Sequence, residues 1–130
     1  MVNGAAGNFL ASADKLSSNG MRRVLEIDTL GTFHMSQSAY NASMKARKSG
    51  VIINITATLH WNGSWGLIHA CAAKAGVDAI TKCLATEWGP HGVRVNGIAP
   101  GPIEGTEGFA RLSDFENTNN KEKANASFGK

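Results

Sequence analysis

Apolar residues in the first half of the chain recur mostly three and four positions apart, which is the spacing of an amphipathic helix. This pattern covers residues 18–48, with Gly31 as an interruption inside it. A second apolar stripe covers about 69–88 and ends at Gly89-Pro90, a pair that stops helices. The pattern therefore predicts two long helices. Their apolar positions are Met21, Val24, Leu25, Ile27, Leu30, Phe33 and Met35 in the first, and Val77, Ile80, Leu84 and Trp88 in the second.

Two short runs rich in β-branched residues alternate with these helices. Residues 51–55 are mostly apolar, which is typical of a strand buried on both faces of a parallel sheet. The second run is Val93–Ile98. Strands joined by helical crossovers predict an α/β fold with a parallel sheet, in which ligands bind beyond the carboxyl ends of the strands. A site is therefore expected in the loops after Asn3, Ile55 and Ile98.

Composition narrows the class of protein. The chain has 130 residues, with 13 Lys and Arg against 10 Asp and Glu, and 42% hydrophobic residues, which fits one small globular domain or a piece of one. No apolar run approaches the roughly 18 residues of a membrane-spanning helix. The basic residues are scattered, so the net charge of +3 does not predict nucleic-acid binding. Cys71 and Cys83 form neither a secreted disulfide framework nor a metal pair, so a reducing compartment is expected.

The composition changes near the end of the chain. From Ser113 onward the sequence is polar and nearly free of apolar residues, which predicts a disordered tail at 113–130 after a folded part at 1–112. The first residues carry neither a basic segment nor a long apolar stretch, so no secretory signal is expected. The last residues, 127–130, do not match the tripeptide that peroxisomal import reads.

Three features lie where this fold predicts a ligand. Residues 3–7, Asn-Gly-Ala-Ala-Gly, let the backbone approach a ligand closely, although an ordinary tight turn has the same composition. Lys74 lies among small residues near the start of the second helix, where its ammonium either binds ribose hydroxyls or is simply solvated. Asp28 lies among apolar residues of the first helix, so its carboxylate is either turned to solvent or held by a partner.

Polar residues also follow the predicted strands. Thr56 and Thr58 come after the first apolar run, where hydroxyls hold a substrate carbonyl or satisfy local backbone. His60 and His69 lack a carboxylate or cysteine partner at ligand spacing, so structural or solvated roles are expected and no metal site is predicted. Residues 100–106, Pro-Gly-Pro-Ile-Glu-Gly-Thr, form a rigid loop that suits covering a flat ligand such as a nicotinamide.

The order and separation of these features resemble the second half of the short-chain dehydrogenase/reductase family, over residues 1–112. Residues 3–7 resemble that family's Asn-Asn-Ala-Gly loop, and residues 53–56 its Asn-Ile-Ser-Ser strand end. Residues 94–101 resemble its highly specific Arg-Val-Asn-x-Ile-x-Pro-Gly segment. The resemblance implies part of a Rossmann-like, doubly wound parallel sheet, because the Gly-x-x-x-Gly-x-Gly cofactor loop of the first half does not occur in this chain.

The sequence departs from the family at its usual active site. Ala70 stands four residues before Lys74, where the family has tyrosine, and Ala57 stands where it has serine. Asp28 stands where the family commonly has asparagine. One branch, the peroxisomal-type 2,4-dienoyl-CoA reductases, lacks the tyrosine and pairs an aspartate with the lysine. This chain is similar to that branch at residues 6–10, 27–29, 31–33, 54–59 and 99–106.

That resemblance implies NADPH-dependent reduction of 2,4-dienoyl-CoA to 3-enoyl-CoA in the degradation of unsaturated fatty acids. Asp28 and Lys74 would form the catalytic pair, with no metal. The implied cofactor-binding residues are Asn3, Ala5, Gly7, Lys74, Pro100, Gly101, Pro102, Ile103, Glu104, Gly105 and Thr106. The implied substrate-binding residues are Phe9 and Leu10 in the acyl pocket, Ser17 and Arg111 near the CoA portion, and Thr56 and Thr58.

The resemblance also implies a peroxisomal location, with the cytoplasm as the alternative, and a homo-oligomer assembled through the two long helices. Because the cofactor loop does not occur in the chain, the alternative function is a non-catalytic fragment that pairs with a full-length relative. A reductase of another acyl-CoA or carbonyl substrate is a third alternative, which Ala70 disfavours because it removes the usual proton donor. NADPH rather than NADH is implied by the resemblance alone.

Overall fold

The structure is a computed structural model and describes residues 1–101 and 103–106. The first predicted helix is one helical run over 18–47 that contains two π-helical segments. Ser17 caps it, since its hydroxyl accepts the Gly20 amide at 3.0 Å. Lys48 ends it in the left-handed conformation, at φ 49°. Its parts are α1 (Ser18–Val24), a first π-helical segment (Leu25–Leu30), α2 (Gly31–Ala39), a second π-helical segment (Tyr40–Met44) and α3 (Lys45–Arg47).

Three parallel strands form the sheet, in the order β1 (Val2–Asn3), β2 (Gly50–Ile55) and β3 (Val93–Ile98). The predicted α/β fold with a parallel sheet is confirmed. In the register, Asn3 pairs with Asn54, which in turn pairs with Gly97. Between β2 and β3 lie α4 (Leu59–Asn62), α5 (Ile68–Trp88) and a 3₁₀ helix (Gly89–His91). The short helix α4 falls in a segment where the apolar pattern predicts only a loop.

A glycine makes the turn into β3. Gly92 has a φ of +77°, and a Cβ added to it would collide with the Lys48 carbonyl oxygen. Both the positive φ and the close approach require glycine at this position. The end of the first helical run and the turn before β3 are therefore packed directly against each other.

The core lies between the sheet and the two long helices. Tyr40 and Trp88 stack with ring centroids 4.1 Å apart and an angle of 3° between the rings. They belong to one buried cluster with the strand residues Ile52, Val93 and Val95. Burial of such aromatic and branched side chains is the main favourable contribution to folding here, at about 25 cal/mol for each Å² of apolar surface removed from water.

The second strand is covered on one face, so the prediction that it is buried on both faces is wrong. Ile52 is 0% exposed, whereas its neighbour Val51 is 38% exposed. Side chains alternate between the two faces of a strand, and both long helices pack on the face that carries Ile52. Val2 and Ile98 are exposed as well. Within the described residues, the opposite face of the sheet is therefore open to solvent, and it carries these apolar side chains together with two polar residues of β3.

The chain divides into two units, Met1–Pro100 and Gly101–Lys130. Of the second unit the structure describes Gly101 and residues 103–106, where the Thr106 hydroxyl donates to the Ile103 carbonyl oxygen at 2.8 Å. The predicted tail at 113–130 lies outside the described residues. Within the described ranges, no helix has both the length and the apolar character needed to cross a membrane.

Candidate active site

The first π-helical segment and α5 bring two opposite charges together. The Nζ atom of Lys74, on α5, lies 3.3 Å from Oδ2 of Asp28, on the π-helical segment. Their side chains are 12% and 1% exposed, respectively. Of the two alternatives that the sequence left open for Asp28, the structure supports a carboxylate held by a partner. A buried charge needs such a partner because its desolvation is costly.

The loop after β1 supplies a second contact to this carboxylate. The Gly7 amide donates a hydrogen bond to Asp28 Oδ1 at 2.7 Å. A Cβ added to Gly7 would lie 3.2 Å from the Ile27 side chain, so the absence of a side chain allows this close approach. The other oxygen, Oδ2, is buried and accepts no hydrogen bond from the described residues, although the Lys74 ammonium lies beside it. The carboxylate therefore has one fixed oxygen and one oxygen that still has acceptor capacity.

The end of the second strand positions the ammonium. Lys74 Nζ donates to the carbonyl oxygen of Ile55, the last residue of β2, at 3.0 Å. The Thr56 hydroxyl donates to the Lys74 carbonyl oxygen at 3.4 Å. The ammonium therefore donates one described hydrogen bond, to Ile55, and makes a charge contact with Asp28. This places the ion pair at the carboxyl end of a parallel strand, which is where ligands bind in α/β sheets.

A row of hydrogen-bonded side chains lies near the carboxyl ends of β1 and β2. The Asn3 amide nitrogen donates to Ser36 Oγ at 3.0 Å and to Asn54 Oδ1 at 2.8 Å. Asn54 donates to Thr81 Oγ1 at 2.9 Å, and Thr81 donates to the Val77 carbonyl oxygen at 2.7 Å. We call Ser36, Asn3, Asn54 and Thr81 the polar row. It joins β1 and β2 to both long helices.

Three members of the polar row were not among the predicted site residues. Ser36, Asn54 and Thr81 are all buried. One signal for them was present in the sequence, because Asn54 interrupts an otherwise apolar strand and a buried amide requires partners. Asn3 was predicted to bind the cofactor, and the structure directs its side-chain amide into this row.

The predicted acyl-pocket residues follow in the same loop. Phe9 is 42% exposed and stacks on His69, with ring centroids 4.2 Å apart. Leu10 is half-buried, and the backbone of Ala11 next to it donates to the Gly66 carbonyl oxygen at 3.0 Å. The structure therefore packs the loop after β1 against the segment before α5.

The remaining predicted residues belong to several separate segments of the sequence. Ala5 is exposed in the loop after β1, Thr58 is half-buried just before α4, and Pro100 is half-buried after β3. Gly101 and the three neighbours Ile103, Glu104 and Gly105 are exposed in the second unit, as is Thr106. Pro102 and Arg111 lie outside the described residues.

A groove of about 860 Å³ lies beside the first π-helical segment. Ser17, predicted to lie near the CoA portion of a substrate, is one of its lining residues. Most of the lining is apolar, with Arg22 and Glu26 as its charged members. The lining residues are Ala13, Leu16, Ser17, Ser18, Met21, Arg22, Leu25, Glu26, Thr29, Leu30 and Ile68.

The two histidines near the site differ in their surroundings. His60 Nε2 lies 2.9 Å from Asp78 Oδ2, so it has a carboxylate partner that the sequence spacing did not indicate. His69 is 0% exposed, and neither ring nitrogen has a hydrogen-bond partner among the described residues. Among residues 1–101 and 103–106, no three His, Cys, Asp or Glu side chains come together as a metal site would require.

Comparison with known protein families assigns most of the chain to one family. A model of the family described as short chain dehydrogenase matches residues 1–117, and the chain therefore belongs to the short-chain dehydrogenase family. Among curated relatives, the peroxisomal 2,4-dienoyl-CoA reductase, (3E)-enoyl-CoA-producing, of Arabidopsis thaliana is 54% identical over 120 residues. The probable 2,4-dienoyl-CoA reductase, (2E)-enoyl-CoA-producing, of Bacillus subtilis is 47% identical over 117 residues. The resemblance found in the sequence is confirmed by these relatives.

The alignments include most of this chain but only part of each relative. The Arabidopsis match covers 86% of this chain and 40% of that protein, and the Bacillus match covers 89% and 46%. A crystal structure of a short chain dehydrogenase from Bacillus anthracis superposes with a TM-score of 0.75 at 50% identity, covering 79% of this chain and 43% of that one. A citronellol catabolism dehydrogenase from Pseudomonas aeruginosa gives 0.73 at 36% identity, covering 82% and 43%. The chain thus spans less than half the length of these relatives.

Proposed function

We propose that this chain carries the catalytic pair of an NADPH-dependent 2,4-dienoyl-CoA reductase, in which Asp28 and Lys74 replace the tyrosine and lysine common in the family. The observation that carries the proposal is the buried ion pair of 3.3 Å at the carboxyl end of β2. Relatives named as 2,4-dienoyl-CoA reductases, from a plant and a bacterium, support the same reaction class. Ala70 supports it further, because the usual phenolic proton donor is missing from its position.

The reaction adds a hydride and a proton to a conjugated thioester. When bound, the nicotinamide supplies the hydride to the far end of the diene, which leaves a dienolate with its negative charge on the thioester oxygen. Protonation at the α-carbon then gives the 3-enoyl product. Protonation at the γ-carbon would give the 2-enoyl product, which the printed name of the Bacillus relative specifies for that protein. The position of the proton donor therefore decides the product.

Asp28 is placed to orient that donor. Its Oδ1 is fixed by the Gly7 amide, while Oδ2 is buried beside Lys74 and still has acceptor capacity. A water molecule held by Oδ2 would be polarised and aimed at one carbon of the dienolate. Correctly placed proton transfer of this kind contributes roughly 10² to 10⁴ in rate, and the positive charge of Lys74 stabilises the negative charge that develops on the substrate.

The residues present fit the nicotinamide end of the cofactor. Lys74 donates one described hydrogen bond, to Ile55, and lies beside Asp28, so its ammonium keeps donor capacity that suits ribose hydroxyls. The small residues after β1 leave backbone accessible beside it, with Ala5 exposed. The preference for NADPH rests on the resemblance to the reductase branch, because the Gly-rich phosphate loop does not occur in this sequence.

The substrate portion of the proposal rests on two surfaces. Phe9 and Leu10 are proposed to line the acyl pocket, and the half-exposed Phe9 ring presents an apolar surface there. Ser17 and Arg111 are proposed to contact the CoA portion, with Ser17 at the edge of the apolar groove. The peroxisomal location is proposed from the printed name of the Arabidopsis relative. Assembly through the two long helices is proposed from the apolar residues Ile27 and Leu30, which are exposed on the first helical run.

A non-catalytic assembly partner is the second candidate. The observation that favours it is the open face of the sheet, on which the apolar residues Val2, Val51 and Ile98 are exposed. A chain with this face uncovered would be stabilised by association with a longer relative. The mass of the endogenous polypeptide separates the candidates: a product about twice 13.7 kDa supports the reductase, whereas one of 13.7 kDa supports the assembly partner.

The catalytic proposal is tested in the complete gene product with NADPH and 2,4-dienoyl-CoA. Asp28→Asn is the informative variant, because its amide oxygen can still accept the Gly7 hydrogen bond while the charge is lost. We expect kcat to fall by roughly 10²-fold or more. Asp14→Asn is the matched control, because Asp14 is an exposed aspartate in the loop between β1 and α1. An Asp28→Asn enzyme with the wild-type rate would refute the assignment, and product analysis by mass spectrometry and NMR would locate the remaining double bond.

A further inference from the structure

The turn that carries Asp28 departs from regular α-helical geometry. Leu25–Leu30 is π-helical, and the Gly31 amide at its end hydrogen-bonds back to the Glu26 carbonyl oxygen, five residues earlier. A π-helical turn inside an α-helix is rare and is frequently found at functional sites. Contacts from outside the helix help to hold this turn in a defined position.

One such contact leads directly to the other half of the ion pair. Thr29, the residue after Asp28, donates its hydroxyl hydrogen to the carbonyl oxygen of Ala73 at 3.0 Å. Ala73 is fully buried and immediately precedes Lys74. This hydrogen bond joins the residue after Asp28 to the residue before Lys74, and it therefore lies beside the Asp28–Lys74 contact.

A glycine on α5 makes room for this contact. A Cβ added to Gly76 would lie 2.8 Å from Thr29 Cγ2 and 3.2 Å from Thr29 Oγ1, closer than side-chain carbons approach. The π-helical segment and α5 are thus closely packed at Thr29.

We propose that Thr29 is a positioning residue, which fixes the π-helical turn to α5 through Ala73 and so sets the separation between Asp28 and Lys74. This inference rests on the proposed function, because it assigns to Thr29 a role in the same catalytic pair. Thr29 acts through Asp28 and Lys74 and does not itself take part in proton transfer.

The test compares one substitution that keeps the shape of Thr29 with another that keeps its hydroxyl. Thr29→Val removes the hydroxyl and retains the branched shape. We expect kcat to fall about three- to tenfold, which is the range that loss of one hydrogen bond implies. KM should change by less than about twofold. Thr29→Ser should recover most of kcat. Thr86→Val is the matched control, since the Thr86 hydroxyl also bonds a helix carbonyl, that of Lys82, on the exposed side of α5.

Several outcomes would overturn the inference. A wild-type kcat in Thr29→Val, or an equal loss in Thr29→Ser, would show that the hydroxyl does not position the pair. A rise in KM at unchanged kcat would assign Thr29 to the groove that it also lines. Should Thr29→Val fail to fold, Gly76→Ala displaces Thr29 by another route and should lower kcat in the same way, so a wild-type kcat there would also contradict the inference.

Failure of the proposed function is distinguished by a structural measurement. If the wild-type gene product does not reduce 2,4-dienoyl-CoA, crystal structures of wild type and Thr29→Val still report the Asp28 Oδ2 to Lys74 Nζ distance. A longer distance in the variant supports the positioning role without reference to activity. An unchanged distance of about 3.3 Å would overturn it.

Discussion

The Gly7 amide and the Asp28 carboxylate lie 2.7 Å apart, so the loop after the first strand is fixed to the first long helix at the residue that carries the buried charge. This contact links two segments that are 21 residues apart in sequence. Its counterpart is the contact between Lys74 and the end of β2. Each charged side chain of the pair is thus held by backbone from a different strand end.

Removal of the Asp28 side chain should lower the stability of the fold as well as the rate of the proposed reaction. Asp28→Ala leaves the Gly7 amide unpaired and Lys74 without its counter-charge, so the free energy of unfolding should fall by about 3 kcal/mol. Asp28→Leu combined with Lys74→Met should cost less than Asp28→Ala alone, because no uncompensated charge remains buried. Urea denaturation of the three proteins measures this order, and a double variant less stable than Asp28→Ala would contradict it.

The polar row offers a second stability prediction. Asn54→Leu removes the acceptor for Asn3 and the donor to Thr81, so the free energy of unfolding should fall by about 2 to 3 kcal/mol. Asn96→Leu is the control, because Asn96 lies on the adjacent strand in an exposed position. Thermal denaturation followed by circular dichroism measures both, and equal losses in the two variants would show that the row contributes nothing specific.

Gly92 should tolerate no side chain. Gly92→Ala introduces both an unfavourable φ of +77° and a collision with the Lys48 carbonyl oxygen, and it should lower the free energy of unfolding by more than about 2 kcal/mol. Gly89→Ala is the matched comparison three residues earlier, where φ is −54° and no atom lies within 4 Å of the added carbon. That variant should have wild-type stability or slightly more. A Gly92→Ala protein as stable as Gly89→Ala would disprove this account of the turn.

Two substitutions separate the contributions of Tyr40. Its hydroxyl hydrogen-bonds to His91 Nδ1, and its ring stacks on Trp88. Tyr40→Phe keeps the stack and should cost about 1 kcal/mol, whereas Tyr40→Ala also loses the ring and should cost about 3 to 5 kcal/mol. Chemical denaturation measures both values. Equal costs would mean that the hydroxyl, and not the stack, determines the contribution of this residue.

The two long helices and the strands β2 and β3 could be predicted because they depend on local patterns. The three- and four-residue spacing around Val24 and the cap at Ser17 belong to the helix itself, and the apolar run before Ile55 identifies the strand. The open face of β2 could not be predicted in this way. An apolar run such as the one around Val51 reads the same whether helices cover one face of the sheet or both, and the coverage depends on segments distant in sequence.

The candidate site was only partly predictable for the same reason. Asp28 and Lys74 could be singled out as unusual residues, but whether the Asp28 carboxylate is buried depends on the approach of α5, which no local spacing reports. The pairing of His60 with Asp78 is another contact between separate helices. Thr29 belongs to a segment that resembles the reductase branch, but its proposed role could not be predicted, because that role depends on the π-helical geometry and on the contact with Ala73.

The parallel order of the three strands bears on when the ion pair can form during folding. Among the described strands, each pair of neighbours is joined through a long helical crossover, so neither pairing is between segments close in sequence. Contacts of large sequence separation form late and slowly, because the entropy of closing the intervening chain must be lost first. Asp28 and Lys74 meet only when both crossovers have packed, and changes at this pair should therefore alter the unfolding rate more than the folding rate.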